Sequence, residues 1–338
     1  MSRTRIGIIG VGGLATGIHL PVLSSFPEAQ LCAVCDWKPE RAEKARRRFP
    51  QSRCYVSYHE MLEKEELDAV FVLVQPDMLF RLAMDCISAG LHVFMEKPMG
   101  ITLFQADSLR KLADSKKRHL WVGYNRRTIP LVVEMVNRMH CLTTVNHVEG
   151  TFYKNSSAAF YDGCAGAFVC DTVHVIDLVR HIAGGSPQKA TMLETTDTDS
   201  GLARAWYGAV TFDNGVTGTI NANYASGGRV HTFGIHGPGA SAYIDLGFGD
   251  AGCSSRILRS GSGTHSLSAA GGGDMVTETF DGIAVANSSD YAHYYGYAEE
   301  VRQFLERVRS KPFAGDPGRT EADYQTMKLV QMLLDARI

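Results

Sequence analysis

Apolar and polar positions change rhythm partway along this chain. In its first third, short apolar runs at residues 5–9, 30–35, 69–74, 92–95 and 120–122 alternate with amphipathic stretches at 15–24, 39–49, 58–64, 79–89 and 103–117. Short continuous apolar runs suit strands covered on both faces, and the stretches between them suit the covering helices, so the pattern predicts a parallel sheet wrapped by helices. Pro39 stands at the start of the second helical stretch, where a missing N–H costs nothing.

After Arg127 the rhythm differs. One helix at 130–139 leads into a strand, and a second helical pattern covers 167–182. Residues 189–246 read as several long strands with turn signals, notably Asp213-Asn214-Gly215 between two alternating runs. This is the pattern of an antiparallel sheet. The Gly- and Ser-rich stretch 247–274 reads as an irregular excursion, and two helices close the chain at 291–309 and 320–337. The expected boundary gives domains 1–123 and 124–338.

Composition narrows the function classes. The 338 residues are 45% hydrophobic and 21% charged, enough apolar material for a sizeable core. A formal net charge of -2 supplies no field that would gather polyanions, so nucleic acid is not an expected partner. No apolar run approaches the roughly 20 residues that span a bilayer, and the basic-then-apolar opening of residues 1–10 reads as a strand, not a leader. A cytoplasmic protein is expected. The eight cysteines lack the paired spacing of a metal site, and no metal is expected. Cys32 and Cys35 sit in one apolar strand where alternation points them to opposite faces, which suits buried thiols better than a redox pair.

Chemistry first appears at Gly10-Val11-Gly12-Gly13-Leu14-Ala15, a G-x-G-x-x-A sequence between the first strand and the first helix. Glycines there permit a tight turn and let the backbone approach a pyrophosphate, whose charge the N–H groups of the helix start stabilise. Asp36 ends the second strand, placed to accept from the adenosine ribose hydroxyls and to repel a 2'-phosphate, which favours NAD; Lys38 and Arg41 leave NADP open. The expected fold is therefore α/β plus α+β, an N-terminal Rossmann doubly wound parallel sheet followed by a domain on a large, mostly antiparallel sheet.

Further motifs carry a resemblance. They are His19-Leu20-Pro21, Asp68-Ala69-Val70-Phe71-Val72, Gln75-Pro76, Ala89-Gly90-Leu91-His92-Val93 running into Glu96-Lys97-Pro98, Gly123-Tyr124-Asn125-Arg126-Arg127, Val173-His174-Val175-Ile176-Asp177-Leu178 and Phe212-Asp213-Asn214-Gly215. Over nearly its whole length the chain resembles the Gfo/Idh/MocA family of sugar and cyclitol oxidoreductases. The resemblance implies reversible oxidation of a secondary alcohol on a sugar, polyol or inositol-like ring, with Lys97 near the substrate hydroxyl and cofactor and His174 on the substrate side. It also implies a cis bond before Pro98. The dinucleotide-binding set it suggests is Gly10, Gly12, Gly13, Leu14, Asp36, Trp37, Arg41, Gln75, Pro76, Glu96, Lys97 and Asn125.

Alcohol oxidation needs a base for the hydroxyl proton, and imidazole suits that role near neutral pH; His174 is the candidate. A fixed ammonium at Lys97 would hydrogen-bond the alcohol oxygen and favour its alkoxide-like form. Asp171 and Asp177 each lie three residues from His174, hence beside it on a helix. Asp171 is the candidate to orient the imidazole, while Asp177 would cap or anchor the helix. Here the chain departs from the family, many members of which carry the acid four residues before the histidine; that position is Cys170. Either Asp171 substitutes, or the histidine works without that partner. Substrate candidates are Lys97, Asp171 and His174 with Tyr153, Tyr161, Asp162, Arg229 and His231; Arg127 either fixes the sheet domain or reaches the substrate.

Two other functions compete with a dehydrogenase. One is a non-catalytic dinucleotide-binding regulatory protein, against which the presence of both Lys97 and His174 argues. The other is elimination or glycoside cleavage assisted by bound NAD without net redox change, for which the Cys170-Asp171 departure leaves room. A homodimer or homotetramer through the antiparallel sheet is expected, because one face of that sheet needs cover.

Overall fold

The computed structural model describes residues 3–156, 166–198, 201–247, 252–260, 275–310 and 317–338. The first strands and helices alternate: β1 (Thr4–Ile9), α1 (Leu20–Ser25), β2 (Ala29–Cys35), α2 (Pro39–Arg48), β3 (Arg53–Tyr55), α3 (Tyr58–Lys64), β4 (Ala69–Val72), α4 (Pro76–Ser88), β5 (His92–Met95), α5 (Leu103–Lys116) and β6 (Leu120–Val122). Then follow α6 (Pro130–Leu142), β7 (His147–Asn155), α7 (Val173–Ala183), β8 (Pro187–Thr196), β9 (Ala203–Phe212), β10 (Thr217–Asn223), β11 (Ala225–Gly237), β12 (Ala240–Asp245), β13 (Ser254–Ser260) and β14 (Met275–Asp281). Four helices complete the chain: α8 (Gly282–Ala286), α9 (Tyr291–Tyr294), α10 (Tyr297–Arg309) and α11 (Pro317–Asp335).

These elements form two compact units, one of residues 1–125, 160–170 and 297–328, the other of residues 126–159, 171–296 and 329–338. The first holds a parallel sheet in the order β3-β2-β1-β4-β5-β6, whose central strand β4 is wholly buried. Cys32 and Cys35 are buried within β2 and free, as the alternation requires of a strand covered on both faces. The order reverses between β1 and β4, the position at which open sheets of this kind bind ligands beyond their carboxyl ends.

The expected split at 123/124 differs from these units chiefly in the last two helices, and the reason is chemical. β6 is an edge strand with backbone groups to satisfy. Asp323 of α11 accepts from the Val122 N–H at 3.4 Å, and Arg319 donates to the Val122 carbonyl at 3.2 Å while its guanidinium sits 4.0 Å over the Trp121 ring. Phe304 of α10 meets Phe71 and Phe94 edge-on. Much of α10 and α11 thus belongs to the core of the first unit.

The second unit is an eight-stranded sheet in the order β14-β13-β12-β11-β7-β10-β9-β8, antiparallel throughout except where β10 runs parallel to β7. Helix α7 packs on one face, and glycines let it approach: a Cβ on Gly150 would lie 2.5 Å from Val175, and one on Gly218 3.0 Å from Val179. The Asp213-Asn214-Gly215 turn joins β9 to β10 with Gly215 at φ 86°. Two strands depart from the expected pattern. β13 lies inside the stretch read as an excursion, and β14 follows it; the Ser- and Gly-rich surroundings of β13 read as loop punctuation, but pairing along an existing sheet edge supplies what local propensity does not. Residues 248–251 and 261–274 of that stretch lie outside the described residues. The closing helix expected at 291–309 is two helices, interrupted at Gly296 with φ 87°.

Candidate active site

In the first unit the candidate residues follow the carboxyl ends of the parallel strands. Gly10 comes directly after β1 at φ 91°, and a Cβ there would lie 2.4 Å from the Leu73 carbonyl oxygen, so the turn requires glycine. Gly12 and Gly13 differ: a Cβ on either would meet nothing within 4 Å. Internal packing therefore does not explain those two glycines, whereas a phosphate drawn close to their backbone does. The turn opens onto a helix start whose next residue, Leu14, is 39% exposed.

Asp36, after β2, is buried and accepts from the Val11 N–H and the Lys38 N–H, each at 2.9 Å. Its carboxylate thus braces the glycine turn. Trp37 is 73% exposed, with the Lys38 ammonium 4.8 Å from its ring, and Arg41 is exposed on α2. Gln75 is exposed just ahead of the buried Pro76 that opens α4. Glu96 and Lys97 follow β5, and the Lys97–Pro98 peptide is cis. The Lys97 ammonium donates to the Cys170 carbonyl at 2.7 Å. Asn125 is buried beyond β6. These groups fit a dinucleotide: a glycine cradle with space above it, an acid at the second strand end, and polar side chains along the same sheet edge.

In the second unit His174 lies in the first turn of α7, half-buried. Asp171 precedes it in a π-helical turn, Phe168–Thr172. Asp171 forms an ion pair with Lys154 and accepts from the Tyr224 hydroxyl at 2.7 Å, while the Thr172 hydroxyl donates to the Tyr224 oxygen at 3.3 Å. Burial, and then the Asp171 charge, push the Tyr224 phenol well up from its ordinary range, so it stays a donor. Asp177 takes the anchoring role that its helix position offers: the Arg127 guanidinium grips it through Nε, at 2.9 Å, and Nη2. Both side chains are almost wholly buried. Of the two roles expected for Arg127, the structure supplies the one that fixes helix to domain.

His231 is 1% exposed and stacked on Phe152 at 4.2 Å between centroids. Burial first, then the charges of Arg126 and Arg229, push its imidazole down to about 2. Neutral His231 accepts at Nδ1 from Arg126 Nη2, 3.1 Å away, because guanidinium only donates. Tyr153 lies elsewhere on the sheet. It falls on the strand parity of Glu149 and Thr151, opposite the parity of Gly150 and Phe152 that faces α7, so it sits on the other side of the sheet from His174. A groove of about 540 Å³ on that far side is lined by residues including Glu149, Thr232, Tyr243, Asp245 and Arg256, and by none of the candidate site residues. Tyr161 and Asp162 lie outside the described residues.

Sequence reasoning missed Lys154, Tyr224 and Arg126. Lys154 carried a signal, since it occupies the inward parity of a strand whose other inward members, Val148, Gly150 and Phe152, are apolar or glycine. Among the described residues there is no cluster of metal-ligating side chains, and no helix is long and apolar enough to cross a membrane.

Comparison with known proteins adds a family. The Gfo/Idh/MocA model described as an oxidoreductase family with an NAD-binding Rossmann fold matches residues 4–124, and that family's C-terminal domain model matches 140–243. The chain is 33% identical over 193 residues to the oxidoreductase YceM of Salmonella typhimurium, a match covering 56% of this chain and 60% of that protein. It is 26% identical over 252 residues to myo-inositol 2-dehydrogenase of Thermotoga maritima, covering 69% and 73%. A crystal structure of a dehydrogenase from Chromobacterium violaceum superposes with a TM-score of 0.85 at 20% identity, over 100% of this chain and 96% of that one, which speaks for the fold.

Proposed function

The chain belongs to the Gfo/Idh/MocA family of oxidoreductases, and from that premise we propose that it is an NAD-dependent dehydrogenase acting on a secondary alcohol of a sugar, polyol or cyclitol. The observation that carries the reading is the sheet edge of the first unit: the Gly10 turn, Asp36, Gln75, Glu96, Lys97 and Asn125 all follow carboxyl ends of one parallel sheet. The similarity to a myo-inositol 2-dehydrogenase supports the substrate class.

When bound, the nicotinamide supplies the acceptor for hydride. The glycine turn and helix start hold the pyrophosphate, and Asp36 accepts from the ribose, favouring NAD over NADP. In this reading the Lys97 ammonium donates a hydrogen bond to the alcohol oxygen and stabilises negative charge as it develops. The His174 imidazole takes the hydroxyl proton as hydride leaves. Asp171, already neutralised by Lys154 and engaged by Tyr224, fixes the start of α7 and hence the histidine's placement.

A panel of sugars and cyclitols with NAD and NADP tests the proposal, with reduced cofactor and released aglycone followed together. Net reduction of NAD with at least one panel member is the expected result. Aglycone release without accumulated reduced cofactor would instead favour elimination, and inertness with intact NAD binding would favour a regulatory protein.

We also propose a homo-oligomer, dimer or tetramer, through the open face of the second unit's sheet. That face carries exposed Leu193 and Val230 with half-buried Tyr153 and Tyr207, apolar area that a second copy would cover. Light scattering showing a monomer at micromolar concentration would refute it.

A further inference from the structure

The first helix of the first unit contains a π-helical turn, Ala15–His19, closed by the Leu20 N–H donating to the Ala15 carbonyl. Such a turn holds one residue more than an α-helical turn, and π-bulges recur at functional sites. This one ends on His19, whose ring is fully buried. It packs among Phe94, Phe71 and Tyr297, with centroids 5.4, 6.1 and 6.2 Å away. Its Nε2 lies 3.1 Å from Glu96 Oε1, and its Nδ1 has no hydrogen-bond partner among the described residues. Leucine would fill so apolar a cage without an orphaned polar atom, so packing does not explain a histidine here. What the histidine adds is the bond to Glu96.

Glu96 is a junction. Its N–H donates to the Val72 carbonyl at 3.1 Å as it leaves β5, and Lys97 follows it directly. Its carboxylate lies against Gly123, where a Cβ would come within 3.3 Å of Oε1. His19 from one side and the bare backbone of Gly123 from the other leave that carboxylate little freedom.

We propose that His19 is a positioning residue of the dinucleotide site. By donating Nε2–H to the Glu96 carboxylate it ties the helix that starts at the glycine turn to the end of β5. Two parts of the cofactor-binding edge are thereby set before the dinucleotide arrives, and the ordering otherwise required on binding is avoided. The inference rests on dinucleotide binding within the proposed function and is independent of which alcohol is oxidised.

NAD titration of the whole protein by calorimetry, without substrate, tests it on His19→Leu, His19→Gln, Glu96→Gln and the His19→Leu/Glu96→Gln double variant. His19→Leu should weaken NAD binding roughly tenfold, the ratio expected for losing a hydrogen bond to a charged group. His19→Gln, whose amide still donates, should recover most of that loss, and the double variant should bind no more weakly than the weaker single one. Thermal unfolding is followed on the same variants: lowered stability with unchanged NAD binding would mark a merely structural histidine, whereas the tie requires NAD affinity to fall whether or not stability falls with it. NAD binding by His19→Leu equal to wild type, no recovery by His19→Gln, or multiplying losses in the double variant would each overturn the proposal. If His19→Leu does not fold, His19→Phe, which fits the aromatic cage without a donor, decides instead: weakened NAD binding supports the tie and wild-type binding overturns it. Failure of the sugar reading would be seen separately, as a wild type that binds NAD but oxidises no panel member.

Discussion

In the first unit the phosphate cradle is backbone, presented at a strand end by glycines, whereas in the second unit the candidate groups are side chains held in a buried polar network. Gly12 and Gly13 face space that the chain leaves open, and Asp36 braces the turn beside them. Asp171, Lys154 and Tyr224, by contrast, engage one another, and Arg127 closes on Asp177. A backbone cradle tolerates change in the side chains around it, because the N–H groups and helix dipole do the binding. A network of buried charges does not, because removing one member strands another.

That contrast can be broken by substitution. The largest effect is expected from Lys97→Ala and His174→Ala, each lowering turnover by about 10²–10⁴-fold, the usual size of a lost acid–base group. NAD affinity measured on His174→Ala should stay near wild type, since that residue belongs to no part of the dinucleotide-binding set. Next, Arg127→Met or Asp177→Asn should lower unfolding stability in urea by about 3–5 kcal/mol, the cost of leaving one buried charge unpaired. Smaller changes should leave the first unit's dinucleotide affinity intact while the second loosens.

Acid should weaken the protein next. Burial, with the neighbouring charges of Arg126 and Arg229, holds His231 down to about 2; burial, with His119 and Arg118, holds His92 down to about 3. Both are neutral in the fold but take up protons in the unfolded chain below about pH 6.5, so their contribution is present above that value and is lost progressively as pH falls. Urea midpoints measured from about pH 7 to about pH 4 should decline, and His231→Gln should flatten the slope. The smallest effect belongs to Asp36→Ala, which should narrow the preference for NAD over NADP by about tenfold, one hydrogen bond to a charged group. A wild type that already prefers NADP would show that Lys38 or Arg41 dominates instead.

The same contrast explains what was legible in the sequence. The parallel sheet and its glycine turn were readable because strand, turn and helix are contiguous, and Tyr58–Lys64 forms the helix its periodicity predicts. In the second unit contacts run between residues far apart in the chain. Lys154 meets Asp171 and Tyr224 only because β7 pairs with β10 and both lie under α7. The face on which Tyr153 lies is not legible for a related reason: which face of an isolated strand is covered depends on the helix that lands on it, and α7 comes from elsewhere in the sequence. β13 is not legible in the sequence because its Ser-rich run becomes a strand by pairing with a neighbour, not by its own propensity.

The most direct test of hydride transfer follows the hydrogen itself. A panel substrate carrying deuterium at the alcohol carbon is incubated with the protein and NAD, and the reduced cofactor is analysed by mass spectrometry and NMR. Deuterium is expected on the nicotinamide ring, with a stoichiometric ketone product and a slower rate than the unlabelled substrate. Deuterium that is lost to solvent or retained in a product at the substrate's oxidation level, with no labelled reduced cofactor accumulating, would contradict it.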